Sequence, residues 1–115
     1  MNLDELEIII NDSFEIKEKV GPKSDKKLIK AINETINLID SGKIRVANKI
    51  NGTWIVNQWI KKAILLSFRV NKMTMSKGPY TTWYDKVPGK SVLWKEEDWK
   101  KAGYRHVPNL SLIHI

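Results

Sequence analysis

The feature that most limits what this chain can fold into is the run from Gly42 to Asn71, GKIRVANKINGTWIVNQWIKKAILLSFRVN. Its first part alternates: Ile44, Val46 and Ile50 fall on one face at period two, with Lys43, Arg45 and Lys49 on the other. Asn51-Gly52 supplies the two left-handed positions of a type I′ turn, so a β-hairpin is predicted, with Trp54-Ile55-Val56 as its return strand. The period then becomes helical. Trp59, Ala63, Leu66 and Val70 form one stripe and Ile60, Ile64 and Phe68 a second beside it, which crowds Lys61, Lys62 and Arg69 onto a narrow strip. A helix apolar over half its circumference has to be covered by other elements. The prediction is a hairpin leading into a buried central helix.

Two upstream segments can supply that cover. Leu3, Leu6, Ile10, Phe14 and Ile16–Val20 make one face of a first helix over residues 3–19, stopped by Gly21-Pro22. Ser24 or Asp25 can cap a second, whose face is Leu28, Ile32, Ile36 and Ile39 and whose end is a left-handed Gly42. Downstream, Met73 and Met75 mark a short strand, Tyr80–Tyr84 another, and Pro88-Gly89 a break. Residues 95–102 form a short helix with acids in its first turn and lysines in its last, the order its dipole favours. Gly103 ends it, and Tyr104-Arg105-His106-Val107 runs extended into Pro108. The expected fold class is α+β: two N-terminal helices and a buried central helix, with a β-hairpin and short strands.

At 115 residues the chain is one domain with a modest core, and 42% apolar residues exclude disorder. No apolar run reaches the ~20 residues needed to span a bilayer, and residues 1–20 are acidic and amphipathic, unlike a signal peptide. The absence of cysteine excludes disulfides and thiolate zinc sites and suits the cytoplasm. The net charge of +7 is unevenly spread. Residues 1–20 hold six acids against two bases, whereas residues 43–78 hold eight bases and no acid. Such a segment attracts anions: nucleic acid, an acidic protein or a polyanionic small molecule.

Residues able to carry chemistry are few. No nucleophile elbow, phosphate-binding glycine loop or zinc-binding histidine pair is present. His106 and His114 lie near one end with no flanking acid, whereas a metal site needs three or four converging ligands. Glu96, Glu97 and Asp98 cluster, but at a helix start such carboxylates serve as caps. Trp54, Trp59, Trp83, Trp94 and Trp99 could stack on nucleobases beside a basic patch; core or half-buried packing is the expectation for each. Lys61, Lys62 and Arg69 read as the solvated edge of the central helix. Arg105, alone in a strand leaving the domain, would by its chemistry face solvent or pair with a nearby acid.

A family resemblance bears on these alternatives. It is carried by Leu38-Ile39-Asp40-Ser41-Gly42, Arg45-Val46-Ala47, Lys49-Ile50-Asn51-Gly52, Trp54, Gln58–Ala63 and Leu65–Arg69, then by Tyr84–Pro88, Gly103-Tyr104-Arg105 and Val107-Pro108. In order and spacing these residues, over about two-thirds of the chain, resemble the N-terminal domain of the tetrahydrodipicolinate N-succinyltransferases. The resemblance implies a cytoplasmic, homotrimeric enzyme of diaminopimelate and lysine biosynthesis, with succinyl-CoA as acyl donor. It implies that residues 1–109 are the substrate-side domain, which binds no cofactor or metal of its own. Arg105, in a Gly-aromatic-Arg-x-Val-Pro context, would bind a carboxylate of the dicarboxylate substrate; its planar fork suits that role. Family members continue into a left-handed β-helix of hexapeptide repeats that forms the acyl-CoA groove. No such repeats occur here, and residues 110–115 match neither part, as a truncated or frameshifted end would. The expectation is a chain inactive by itself, with no catalytic residue of its own and compatible with a monomer.

The alternative, a basic nucleic-acid-binding module, separates cleanly from this reading. The resemblance predicts no gel shift of random DNA or RNA at low salt. A shift that weakens steeply as salt rises would support the alternative, because phosphate contacts release counterions.

Overall fold

Asn2 opens the first helix by accepting the Glu5 N–H on its side-chain oxygen at 2.9 Å, and Asp4 and Glu5 place negative charge in the first turn. The structure, a computed structural model, describes residues 1–107. Expectations placed on Pro108, His114 and the 110–115 tail fall outside the described residues. Helix α1 covers Leu3–Glu15 and gives way to a 3₁₀ turn at Lys17–Lys19, so it is shorter than the 3–19 helix predicted. The tighter turn leaves Ile16 exposed and brings Val20 into the core ahead of Gly21.

Helix α2, Lys26–Asp40, starts at Asp25, whose carboxylate accepts the Lys27 N–H at 3.4 Å. Ser24 is used otherwise: its Oγ accepts the Gly21 N–H at 2.8 Å. The end of α2 is as expected. Gly42 has φ +74°, its N–H donates to the Ile39 carbonyl, and the Lys43 N–H donates to the Leu38 carbonyl, each at 3.0 Å.

Strands β1, Ala47–Ile50, and β2, Thr53–Val56, pair antiparallel, from Ala47 opposite Val56 to Ile50 opposite Thr53. Asn51 and Gly52 turn the corner at φ +49° and +79°, the two positive angles a type I′ turn requires. Helix α3, Gln58–Val70, follows at once. A second antiparallel pair, β3 (Thr74–Lys77) and β4 (Thr82–Asp85), forms a separate sheet, and helix α4 spans Glu96–Ala102. Met73 and Tyr80 fall just outside these strands. The architecture is a small α+β domain.

The core is a three-helix contact. Ile10 of α1, Leu28 and Ile32 of α2, and Ala63, Leu66 and Val70 of α3 bury together with Val20, and Phe14, Ile36 and Trp59 pack half-buried around them. Thr35 lies fully buried among these side chains and satisfies its hydroxyl by donating to the Ala31 carbonyl at 2.8 Å. Among the described residues, every buried side chain lies between Leu6 and Val70. The radius of gyration, 16.6 Å, exceeds the ~13 Å of a compact chain of about 100 residues. β3, β4 and α4 lie beside the core and contribute nothing to it.

Two expectations need correction. The central helix is buried along Ile60, Ala63, Leu66–Ser67 and Val70; of the second stripe only Ile60 is buried, Ile64 is half-buried and Phe68 exposed, and Trp59 of the first stripe is half-buried. Among the described residues α1 and α2 cover α3, and the hairpin does not close over its far side. The hairpin is itself bare, with Ile50, Trp54, Ile55 and Val56 all exposed. Trp54 (67% exposed) and Trp83 (44%) are therefore not packed as expected, whereas Trp59, Trp94 and Trp99 are half-buried as expected.

These burial differences make neighbouring residues of α3 unequal. Leu66→Ala, at 0% exposure, is expected to lower the free energy of unfolding in urea by about 2–5 kcal/mol. Leu65→Ala, one residue away at 52% exposure, should change it by no more than about 0.5 kcal/mol.

Candidate functional site

Arg105 is placed by the end of α4. That helix is fixed at its start by Asp98, whose carboxylate accepts the Lys95 N–H at 2.8 Å, and Glu96 pairs with Lys100 one turn later at 3.0 Å. Of the three acids expected to act as caps, Asp98 does so. At the other end Gly103 takes φ +76° and donates its N–H to the Trp99 carbonyl at 3.1 Å, which turns the chain out of the helix. Arg105 follows two residues later, exposed, and forms no salt bridge among the described residues.

Around this exit the rings gather. Trp94 and Trp99 meet edge to face with centroids 4.9 Å apart, and Tyr104 lies 5.7 Å from Trp99 and 6.0 Å from Trp94. His106 lies 5.9 Å from Trp99. Sequence reasoning took these residues one at a time and missed the cluster. Its signal was the pair of aromatic rings flanking Arg105 at positions 104 and 106, within reach of two tryptophans five residues apart. No three His, Asp or Glu side chains converge among the described residues in a way that could hold a metal ion.

Residues 104–107 form no strand, unlike the strand expected to carry Arg105, and beside them is a cleft of about 460 Å³, walled by Trp83, Asp85, Val87, Val92 and His106. A second hollow of about 400 Å³ lies near the start of α3, between Lys43, Arg45, Asn48, Asn57 and Trp59. Asn57 builds its rim. Its N–H donates to the Val46 carbonyl at 2.7 Å, and its Nδ2 donates to the Arg45 carbonyl and Asn48 Oδ1 at 2.7 and 2.9 Å. The residue that precedes α3 thus spends its side chain on holding the hairpin and leaves the helix without a side-chain cap.

The basic strip of α3 is largely engaged within the bundle. Lys62 Nζ donates to Asn11 Oδ1 at 3.0 Å and lies 5.4 Å from the Phe14 ring centroid, and Arg69 lies 3.5 Å from Glu18. Lys61 stays exposed. Two other lysines tie the second half of the chain to the helices. Lys86 Nζ donates to the Phe68 carbonyl at 2.9 Å, one of the free carbonyls at the end of α3, and Lys90 Nζ reaches Asp40 Oδ1 at 2.6 Å. The hydrogen bond to Asp40, and then the carboxylate charge, raise the Lys90 ammonium above its ordinary pKa. The sign follows: the contact is present at neutral pH and is lost on the alkaline side, as pH climbs through that raised value.

A family model described as tetrahydrodipicolinate N-succinyltransferase N-terminal matches residues 5–70. The chain belongs to this family. It is 51% identical over 108 residues to the 2,3,4,5-tetrahydropyridine-2,6-dicarboxylate N-succinyltransferase of Pelagibacter ubique (strain HTCC1062), covering 91% of this chain and 39% of that protein. Similarity to the proteins of the same name from Parvibaculum lavamentivorans and Bartonella tribocorum is 45% and 43% identity, over 94% and 98% of this chain. The chain spans about 40% of the length of these curated relatives. The family match coincides with Leu6–Val70, the stretch that holds every buried side chain among the described residues. Arg105 lies beyond it, but an alignment covering 98% of the chain necessarily includes it.

The lysine tethers give a test of how the two halves of this succinyltransferase-family chain are joined. Asp40→Asn is expected to speed proteolysis and amide exchange in the loop around Lys90 while the urea midpoint of the bundle stays in place. A matching fall in the midpoint would show that the tether belongs to the fold itself.

Proposed function

We propose that this chain is the N-terminal, substrate-side part of an acyltransferase that moves succinyl from succinyl-CoA to tetrahydrodipicolinate, in diaminopimelate and lysine biosynthesis. The observation that carries this reading is the likeness, across more than nine-tenths of the chain, to proteins named as N-succinyltransferases of 2,3,4,5-tetrahydropyridine-2,6-dicarboxylate. The ring opens with water, the freed amine attacks the thioester carbonyl, and coenzyme A leaves as the thiol. In this scheme the chain supplies Arg105, which holds one substrate carboxylate through two parallel charge-assisted hydrogen bonds. The exposure of Arg105 supports the role, since a guanidinium locked among its own neighbours could not receive a ligand.

The thioester groove and the base that serves the amine belong, in this reading, to the larger part of the relatives' length. The homotrimer and the binding of succinyl-CoA are assigned there too, and residues 1–109 bind no cofactor or metal. Exposed large apolar side chains, Trp54, Ile55, Tyr80 and Leu93 among them, suit a domain that packs against more protein. We place the protein in the cytoplasm, where succinyl-CoA is made; no helix among the described residues is long and apolar enough to cross a membrane.

The purified chain is expected to turn over succinyl-CoA no faster than a blank, and turnover above it would overturn the assignment of the groove. In a full-length relative, replacing the arginine of the Gly-aromatic-Arg-x-Val-Pro context with alanine should raise KM for tetrahydrodipicolinate by about 10- to 100-fold. An unchanged KM would leave this domain a purely structural part.

A further inference from the structure

We propose that the rings of Trp94, Trp99, Tyr104 and His106 form a positioning device that aims Arg105; this rests on the reading of Arg105 as a carboxylate-binding residue. The segment that carries Arg105 lacks the usual means of holding a strand. Residues 104–107 belong to neither sheet, and no backbone hydrogen bond is made by them among the described residues. What they have is rings on both sides of the arginine. Tyr104 and His106 both approach Trp99, at 5.7 and 5.9 Å, and Trp94 closes the group at 4.9 Å from Trp99.

Two residues that are two apart and meet the same ring must face the same side of the chain. The residue between them is carried to the opposite side, as along any extended segment. Tyr104 and His106 therefore turn toward Trp99 and Arg105 turns away from it. Trp99 governs both ends of this arrangement. Its carbonyl accepts the Gly103 N–H that sets the turn, and its ring receives the two side chains beyond the turn. Helix α4, held at its start by Asp98, keeps Trp99 itself in place.

Filling a core does not explain the group. Tyr104 is 53% exposed, Trp94 and Trp99 are only half-buried, and the buried core ends at Val70. Pairs of rings in edge-to-face contact add directional attraction beyond the area they cover. Such contacts can fix a direction where burial is incomplete. Trp99 is thus a positioning residue, acting on a ligand only through Arg105.

The test uses the isotope-labelled 115-residue chain with Trp99→Ala, Trp99→Phe and Arg105→Ala, read by NMR relaxation and by titration with pimelate, a dicarboxylate probe. Trp99→Ala should drop backbone order parameters at residues 104–106 from the rigid range to below about 0.6, with the signals of Ile32 and Leu66 unmoved. It should weaken pimelate binding by roughly two- to tenfold, and Trp99→Phe should restore both. Arg105→Ala should abolish binding and leave the order of the segment intact. Residues 104–106 staying ordered in Trp99→Ala would overturn the positioning role alone. Pimelate affinity unaffected by Arg105→Ala would instead sink the carboxylate reading and, with it, the purpose of the stack.

Discussion

Everything in this molecule hangs on the seam where α3 meets the other two helices. Ala63 is fully buried at its middle, in one cluster with Ile10, Ile32 and Leu66, all at 0% exposure. One seam can bury one stripe. Two partner helices leave the outer side of α3 open, which is why Leu65 and Phe68 remain in contact with water although they are as apolar as the residues facing inward. The hairpin meets the same limit: a two-stranded ribbon with side chains on both faces gains little stability by itself. It is kept by Asn57, which ties it to the start of α3.

Beyond Val70 the physics changes. No buried apolar side chain anchors the second half among the described residues, and the hydrogen-bonded links back to the helices run through the exposed ammonium of Lys90 and the half-buried Lys86. Exposed ion pairs contribute little and are screened by salt. Order there has to be generated locally: by the β3–β4 pairing, by Asp98 at the start of α4, and by the rings around Trp99. A guanidinium on such a segment can be oriented without being immobilised by the core. That separates the stability of the bundle from the geometry of the site.

The parts that were legible in the sequence are those set by neighbours in the chain. Asn51-Gly52 dictates its turn, Gly42 its left-handed helix end, and the spacing of Ala63, Leu66 and Val70 the inward face of α3. What could not be read is what lies across from each residue. Periodicity marked Phe68 as apolar and Trp54 as a strand residue, but burial depends on whether another element arrives, and among the described residues none does. The same holds for Lys62, whose partner Asn11 is fifty-one positions away, and for Lys90, fifty from Asp40. Arg105 stood out only through the family resemblance; its surroundings are a cluster of rings that no single position announces.

The charge asymmetry can now be assigned its place. Of the bases in the acid-free stretch, Lys62 is engaged with Asn11 of α1 and Arg69 with Glu18 of the 3₁₀ turn, so among the described residues the uncommitted positive charge falls on Lys43, Arg45 and Lys49 around the first hairpin, on Lys61 of α3, and on Lys72 and Lys77 near the second. Charges of this kind act over about one screening length, roughly 8 Å at physiological salt. They raise the encounter rate with any anion but cannot tell one from another. A planar fork held in a set direction can, because its two hydrogen bonds demand a carboxylate at a particular angle. If the substrate is the dianion proposed, the diffuse field and the single oriented guanidinium divide the work. The field would then gather anions, and Arg105 would select among them.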